Sequence, residues 1–414
     1  MRPLLLLTSI LSITSTLPGE EAPDARIAPD DQFPDASAAK YIAGEIILVE
    51  HVNRIGILRP ERDGTINKYY WDLPHEFRML PYGAIFLHGA PAELKDLPLG
   101  IHVHGQFYFG PEGEYEVKPP VSGYVAGNMA KPDMRAVTSP YSRVLRLEDD
   151  FSFYQRQGTG WKIVELAEDL TSVTMERVRL TDGGIFKGGD ADGGLAGRQV
   201  FRLDRGCRIW KEAAIGKLED LAPGQVVQVN LGWVSLLGSE KQDGLCREIW
   251  IDEASREAAT EQQRQIHIAH QKRRGVAALV VKTESMPGEG ARGHMTVELA
   301  AGLDPELVEE VKTASSVAVW AVEPTLRGYD NDSKPASQLE VTEIESPPGG
   351  SSGVRIRMHL YEMLEGFRKG RAVRVAPGHW PTLARPLEER LWQKDTRIFS
   401  VGPKPVADRD GPPR

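Results

Sequence analysis

Leu218-Glu219-Asp220-Leu221-Ala222-Pro223-Gly224-Gln225-Val226-Val227-Gln228-Val229 decides how the chain is read. A short turn with apolar and acidic residues ends at a Pro-Gly reversal, and a β-branched strand follows. Two other stretches share the pattern. One is Leu94-Lys95-Asp96-Leu97-Pro98-Leu99-Gly100-Ile101-His102-Val103, the other Leu364-Glu365-Gly366-Phe367-Arg368-Lys369-Gly370-Arg371-Ala372-Val373. Aligned on Gly100, Gly224 and Gly370, each has a leucine, a charge, a further apolar residue, the glycine and then a strand. A short apolar turn can pack under a barrel, and glycine reverses the chain where φ is positive. Such a triplicate predicts three repeated modules.

The flanking segments support this. Tyr41 to Val49, Arg54 to Leu58, Lys68 to Leu73, Gly83 to His88 and Ile101 to Phe109 read as short strands, with a helical stretch near Ala92 to Leu97. They make module one, residues 41–110. A Pro/Gly-rich crossing over 111–140 leads to module two, 141–252, opened by Val144 to Leu147. Residues 253–274 carry no Gly or Pro and read as a partly exposed linker helix. Module three, 275–401, begins with the strand Val276 to Lys282. It contains a short helix at Asp304 to Val311, with Asp304 as N-cap and Pro305 in the first turn. The fold class expected is mainly β: three small barrels in tandem, with the long helix between the second and third. Gly and Pro together supply 70 of the 414 residues, too many for a helical bundle.

Five or so short strands per module, with a turn before the last, resemble the oligonucleotide/oligosaccharide-binding (OB) barrel. They also resemble the OB-like modules of exported bacterial proteins of unknown function. The stretch from Leu218 to Val229 carries the likeness most clearly; module one has Gly105 at one strand position and module three has Gly366 for the aspartate. The resemblance implies architecture and no particular activity.

Arg2, the apolar run Leu4 to Ile13 and the small residues up to Gly19 form the pattern of a secretory signal peptide, residues 1–19. Residues 20–40 read as a disordered leader and 402–414 as a disordered tail. No segment is long and apolar enough for a transmembrane helix. The expected location is therefore periplasmic or extracellular. In such a compartment Cys207 and Cys246, the only cysteines, pair as a disulfide; in a reducing one they are two thiols. With 50 basic against 59 acidic residues and a net charge of −9, a general nucleic-acid partner is disfavoured.

His51, His75, His88, His102 and His104 fall in module one. His102 and His104 lie two apart on one strand and so share a face, outward if Ile101 and Val103 point inward. With His88 from the preceding strand they can form a Zn or Cu site, Glu76 or Asp72 adding a ligand. A solvated strand face explains the same residues. Glu148-Asp149-Asp150 reads as a solvated acidic turn. Asp190-Ala191-Asp192-Gly193-Gly194 looks like half a calcium loop but lacks a third ligand and the Glu in register, so it reads as a Gly-rich hairpin tip, and Asp330-Asn331-Asp332 has the same weakness. Gln271 to Arg274 complements a helix C-terminus. The tryptophans, including Trp210, Trp233 and Trp250, serve as core or as a glycan groove. Nucleophile-elbow, Walker, dinucleotide and H-E-x-x-H motifs are absent from the sequence. The expectation is an exported, non-catalytic binding or scaffolding protein with an envelope protein or glycan as partner. The alternative is a metal-binding protein or metal-dependent envelope enzyme centred on the module one histidines.

Overall fold

The computed structural model describes residues 33, 36–51, 54–60, 75–108, 124–125, 128–129, 137–180, 197–234, 243–286, 292–322, 326, 337–345, 354–361 and 364–381. Three β-barrels follow one another. Barrel one is built from β1 (Lys40–Glu50), β2 (Ile55–Pro60), β3 (His75–Leu87), the short β4 (Ala90–Ala92), β5 (His102–Tyr108) and, after a small hairpin of β6 (Tyr124–Val125) and β7 (Asn128–Met129), β8 (Val137–Asp149). The sheet runs β2-β1-β5-β8-β3 and closes through β3 on β2, with β4 appended to β3. Only the β3–β8 pairing is parallel. Ile46, Leu58, Phe77, Ile85, Val103 and Leu147 fill the interior. Val144 to Leu147, expected to open barrel two, thus closes barrel one. A strand's barrel is set by the edge it completes, which local sequence does not reveal.

Helix α1 (Asp150–Arg156) leads into barrel two: β9 (Thr159–Leu166), β10 (Ser172–Arg179), β11 (Gln199–Lys211), β12 (Ala214–Ile215), β13 (Val226–Val234) and β14 (Asp243–Trp250). The order β10-β9-β13-β14-β11, closed by β10–β11, repeats that of barrel one, and again the β11–β14 pair is parallel. Helix α2 (Glu253–Arg274) then precedes barrel three. This comprises β15 (Val276–Ser285), β16 (Gly293–Leu299), helix α3 (Pro305–Lys312), β17 (Ser316–Ala321), β18 (Ser337–Glu345), β19 (Arg355–Leu360) and β20 (Ala372–Pro377). Its six strands close in the order β15-β16-β19-β18-β17-β20, all antiparallel. Leu307 and Val311 of α3 join its core, and Asp304 caps the helix by accepting from Glu306 N–H.

The glycine pattern does the same work three times. Gly100, Gly224 and Gly370 have φ of 80°, 89° and 86°. Each follows a single 3-10 turn, at Leu94–Asp96, Leu218–Asp220 and Glu365–Phe367. Each donates its N–H to the first strand of its own barrel: Gly100 to Ile46, Gly224 to Ile163, Gly370 to Val280, at 2.7, 2.7 and 2.8 Å. Those three residues donate back to Ile101, Gln225 and Arg371, each at 2.9 Å. A register shift in the first strand's pairing follows at once, between Ile46 and Leu48, opposite Ile163 to Glu165, and between Val280 and Lys282. The reversal therefore docks where a β-bulge bends the opening strand.

Helix α2 was expected to be a partly exposed linker. It is such a helix, half exposed between barrels two and three, and it is also a spine that touches all three barrels, with Ser255, Gln263, His267, Ile268 and Gln271 buried. Toward barrel one, Thr260 donates to His88 C=O (2.6 Å) and Gln271 to Glu93 Oε1 (2.6 Å). Toward barrel two, Ser255 Oγ accepts from Ala213 N–H. Toward barrel three, Arg264 holds Asp304 at 2.7 Å, and Arg374 donates to Gln271 and to Gly275 C=O. Lys272 at the basic end pairs with Glu306 and Glu310, so this cluster binds a neighbour besides complementing its own helix. The helix has a thin apolar stripe because its contacts are largely polar.

Candidate functional site

The site lies where barrel one meets barrel two, and its local geometry starts from two tight turns. His88-Gly89 joins β3 to β4, and Glu212-Ala213 joins β11 to β12. All four residues have positive φ (52°, 80°, 51° and 60°), the signature of a type I′ hairpin. Three of them are not glycine, so something must hold them there. The helix following each barrel does so. Asp149 caps α1 by accepting from Ser152 N–H, while its other oxygen accepts from His88 N–H and Ser152 Oγ accepts from Gly89 N–H. Asp252 caps α2 in the same way, accepting from Ser255 N–H and Glu212 N–H, and Ser255 Oγ accepts from Ala213 N–H. An Asp-x-x-Ser cap thus clamps the preceding barrel's hairpin at both junctions. The sequence carried that signal at Asp149/Ser152 and Asp252/Ser255, and sequence reasoning missed it.

The clamp sets Asp150, the first residue of α1, against the outer face of β5. Ile101 and Val103 point into barrel one, as the strand alternation predicts. His102 and His104 point out, yet they are only 3% and 5% exposed, because α1 and barrel two cover them. Asp150, fully buried, lies between the two rings. Its Oδ1 meets His102 Nδ1 at 2.8 Å and His104 Nε2 at 3.0 Å, and its Oδ2 accepts from Leu231 N–H of β13 at 2.9 Å. On its far side, His104 Nδ1 meets the Tyr41 hydroxyl at 2.6 Å, and the ring stacks on Phe153 with centroids 3.6 Å apart. Burial works against charge on Asp150, but the adjoining imidazoles outweigh it and hold the carboxyl well below the usual range. For His104 burial prevails over the Asp150 hydrogen bond, so its pKa is lowered and the ring stays neutral. An ionised carboxylate needs donors, so Nε2 carries the His104 proton and Nδ1 accepts from Tyr41 O–H. Among the described residues, His102, His104 and Asp150 are the group whose ligand atoms converge enough to hold a metal ion.

His88 does not join them. Its backbone is fixed by Asp149, its ring packs on Trp250 and its Nε2 meets Glu248 Oε2 at 3.3 Å. Burial opposes its charge, but the Glu248 bond and the charges of Asp149 and Glu248 prevail and raise its pKa. Glu248 is also paired with Arg208, and Asn230 bridges the cluster by donating to Asp149 and accepting from Phe151 N–H. Glu76 sits elsewhere on β3, paired with Ile57 across the sheet. Asp72 lies outside the described residues, as do Asp190 to Asp192, Asp330 to Asp332, the leader up to Gln32 and the tail. The acidic turn is corrected outright: Glu148, Asp149 and Asp150 are 3%, 0% and 0% exposed. They are buried because Arg146 and Arg156 pair with the first, two hairpin and cap N–H groups with the second, and the histidines with the third.

The expected disulfide is also corrected. Cys207 and Cys246 are free thiols on the adjacent strands β11 and β14. Cys246 is packed in the barrel two core, where burial raises its thiol pKa, and the pairing is irregular between Leu203 and Arg208, the stretch that carries Cys207. Trp161 and Trp250 are core residues at 1% exposure, which favours packing over a glycan groove for these two. Comparisons with family models, with curated proteins and with solved structures found no match.

Proposed function

We propose that this chain is a non-catalytic scaffold of the periplasm or cell envelope that presents three small barrels in one fixed arrangement to an envelope protein or a glycan. The observation that carries the reading is the spine: a single helix whose buried Ser255 and Gln271 side chains bond, between them, all three barrels. A linker that served only to tether would have no reason to bury Ser255, Gln263 and Gln271. Barrels one and two are joined a second time, by Asn230 and Leu231 of barrel two donating to Asp149 and Asp150 and by a backbone bridge between Ile101 and Gly232. The signal-like first 19 residues support export.

Two measurements test this. Spin labels on the outer faces of barrels one and three should give one narrow distance distribution, and the protein recovered from an expressing bacterium should be in the periplasm and lack its first residues. A broad distribution, or an uncleaved cytosolic chain, overturns the reading.

The seam between spine and barrel one should also respond to acid. Burial lowers His270 to about 3, with Lys95, Arg274 and Arg374 reinforcing the effect against Glu93; Lys95 Nζ lies 3.0 Å from His270 Nδ1. Burial opposes ionisation of Glu93, but Arg54, His270, Arg374 and His267 outweigh it and bring its carboxyl to about 2. The unfolded chain therefore protonates position 270 before the folded one does. That contribution to stability is complete above about pH 6.5 and declines as the pH falls toward 3. Between about pH 6.5 and 5.5, where Glu93 stays largely ionised in both states, His270→Gln should remove up to about 1.4 kcal/mol per pH unit from the slope of unfolding free energy. Parallel pH profiles for the two proteins would contradict the assignment.

A further inference from the structure

We infer that His102, His104 and Asp150 form a binding site for one divalent transition-metal ion, best matched to Zn2+, which fastens helix α1 to barrel one. Two imidazoles and one carboxylate are the donor set that borderline ions prefer. The three come from two elements held in place independently of any ion. His102 and His104 sit on β5 inside a closed barrel, and Asp150 is set by the capped start of α1. The donor atoms already crowd one point, with both nitrogens 2.8 to 3.0 Å from Asp150 Oδ1. Ligands about 2.0 to 2.2 Å from a tetrahedral ion lie about 3.3 Å apart, so each nitrogen need draw away from Asp150 Oδ1 by only about 0.3 to 0.5 Å, and the three ligand atoms lie within 4.8 Å of one another.

The surroundings are those of a ligand set. Metal-bound histidines and carboxylates are oriented by hydrogen bonds on their far atoms. Here Asp150 Oδ2 accepts from Leu231 N–H, and His104 Nδ1 meets Tyr41. When an ion replaces the N–H···O contact of the neutral His104 ring, that ring carries its proton on Nδ1 instead of Nε2. Nδ1 then donates to the Tyr41 oxygen. The ion also supplies positive charge beside a carboxylate that is wholly buried. Barrel two has no counterpart, since Val226 and Gln228 occupy the places of the two histidines and Glu253 that of the aspartate. The site therefore belongs to the first junction alone.

The test uses the full chain, saturated with Zn2+, dialysed and analysed for metal by mass spectrometry. The expected result is one zinc per chain and an X-ray absorption shell of nitrogen and oxygen with two imidazoles. Asp150→Asn should weaken Zn2+ by more than about 100-fold, and Tyr41→Phe, which acts through His104, by about 10-fold. His88→Gln should keep a full equivalent, because that residue faces Glu248. Should Asp150→Asn fail to fold, the wild-type stoichiometry and absorption shell decide. Substoichiometric zinc in the wild type overturns the inference, as does sulfur in the shell or equal retention by folded Asp150→Asn. Metal content and barrel-to-barrel distance are read separately, so an empty site leaves the scaffold reading standing and a flexible scaffold leaves the site standing.

Discussion

Asp150→Ala destabilises the protein by about 3 to 5 kcal/mol, the range found when one member of a buried charge network is removed. The carboxylate accepts from two imidazoles and from Leu231 N–H, and it is wholly inaccessible. Without it, three donors from two barrels face one another with no acceptor among them, and water cannot enter without parting α1 from β5. Unfolding in urea, followed by tryptophan fluorescence, reads the loss, since Trp250 packs against Phe151 and His88 at this junction. The damage should appear first as separation of barrels one and two, while barrel three keeps its core. A change within about 0.5 kcal/mol, typical of surface substitutions, would show that the cluster carries no such weight.

Gly275→Ala has an effect of similar size for a different reason. Gly275 ends the spine with φ 72° and ψ 155°, a region open almost only to glycine. A methyl group there would also meet the Trp320 ring at 2.8 Å and Val375 C=O at 3.0 Å. Backbone strain of about 1 to 3 kcal/mol adds to overpacking of about 1 to 3 kcal/mol, so a loss of about 3 to 5 kcal/mol is expected. Gly224→Ala is the matched control. Its φ is 89°, but nothing lies within 4 Å of the added carbon, so strain acts alone and about 1 to 2 kcal/mol should be lost. Denaturant midpoints of the two variants give the comparison. Equal losses would mean that the contact with Trp320 and Val375 is soft.

The barrels were legible because each is announced locally. A leucine, a reversal at glycine and an alternating strand are contiguous in sequence, and the same backbone bonds recur at Gly100, Gly224 and Gly370. Closure of the sheets was less legible. The strand at Val144 to Leu147 follows a long proline-rich crossing, and only its partners β3 and β5 reveal that it belongs to what came before. The site was half legible. Strand periodicity put His102 and His104 on one face, but it said nothing of the helix lying over that face. Asp150 sits 46 positions beyond His104 in a run of acids that looks hydrated, and its burial depends on contacts from two distant strands, β5 and β13. His88 was drawn into the wrong group because neighbouring strands suggested proximity, whereas its place on a left-handed hairpin turns it toward Glu248.

The spine also orders assembly as the chain emerges N-terminus first. Barrel two is complete once Trp250 has emerged, yet the carbonyls of His88 and Pro91 still await Thr260 and Gln263. Asp304, which receives Arg264, comes later still. During vectorial synthesis the first two barrels therefore hold a vacant polar seat until the next twenty or so residues arrive. That seat bonds through amides and hydroxyls, so water can fill it in the interval, and the nascent chain need not expose an adhesive hydrocarbon surface while it waits.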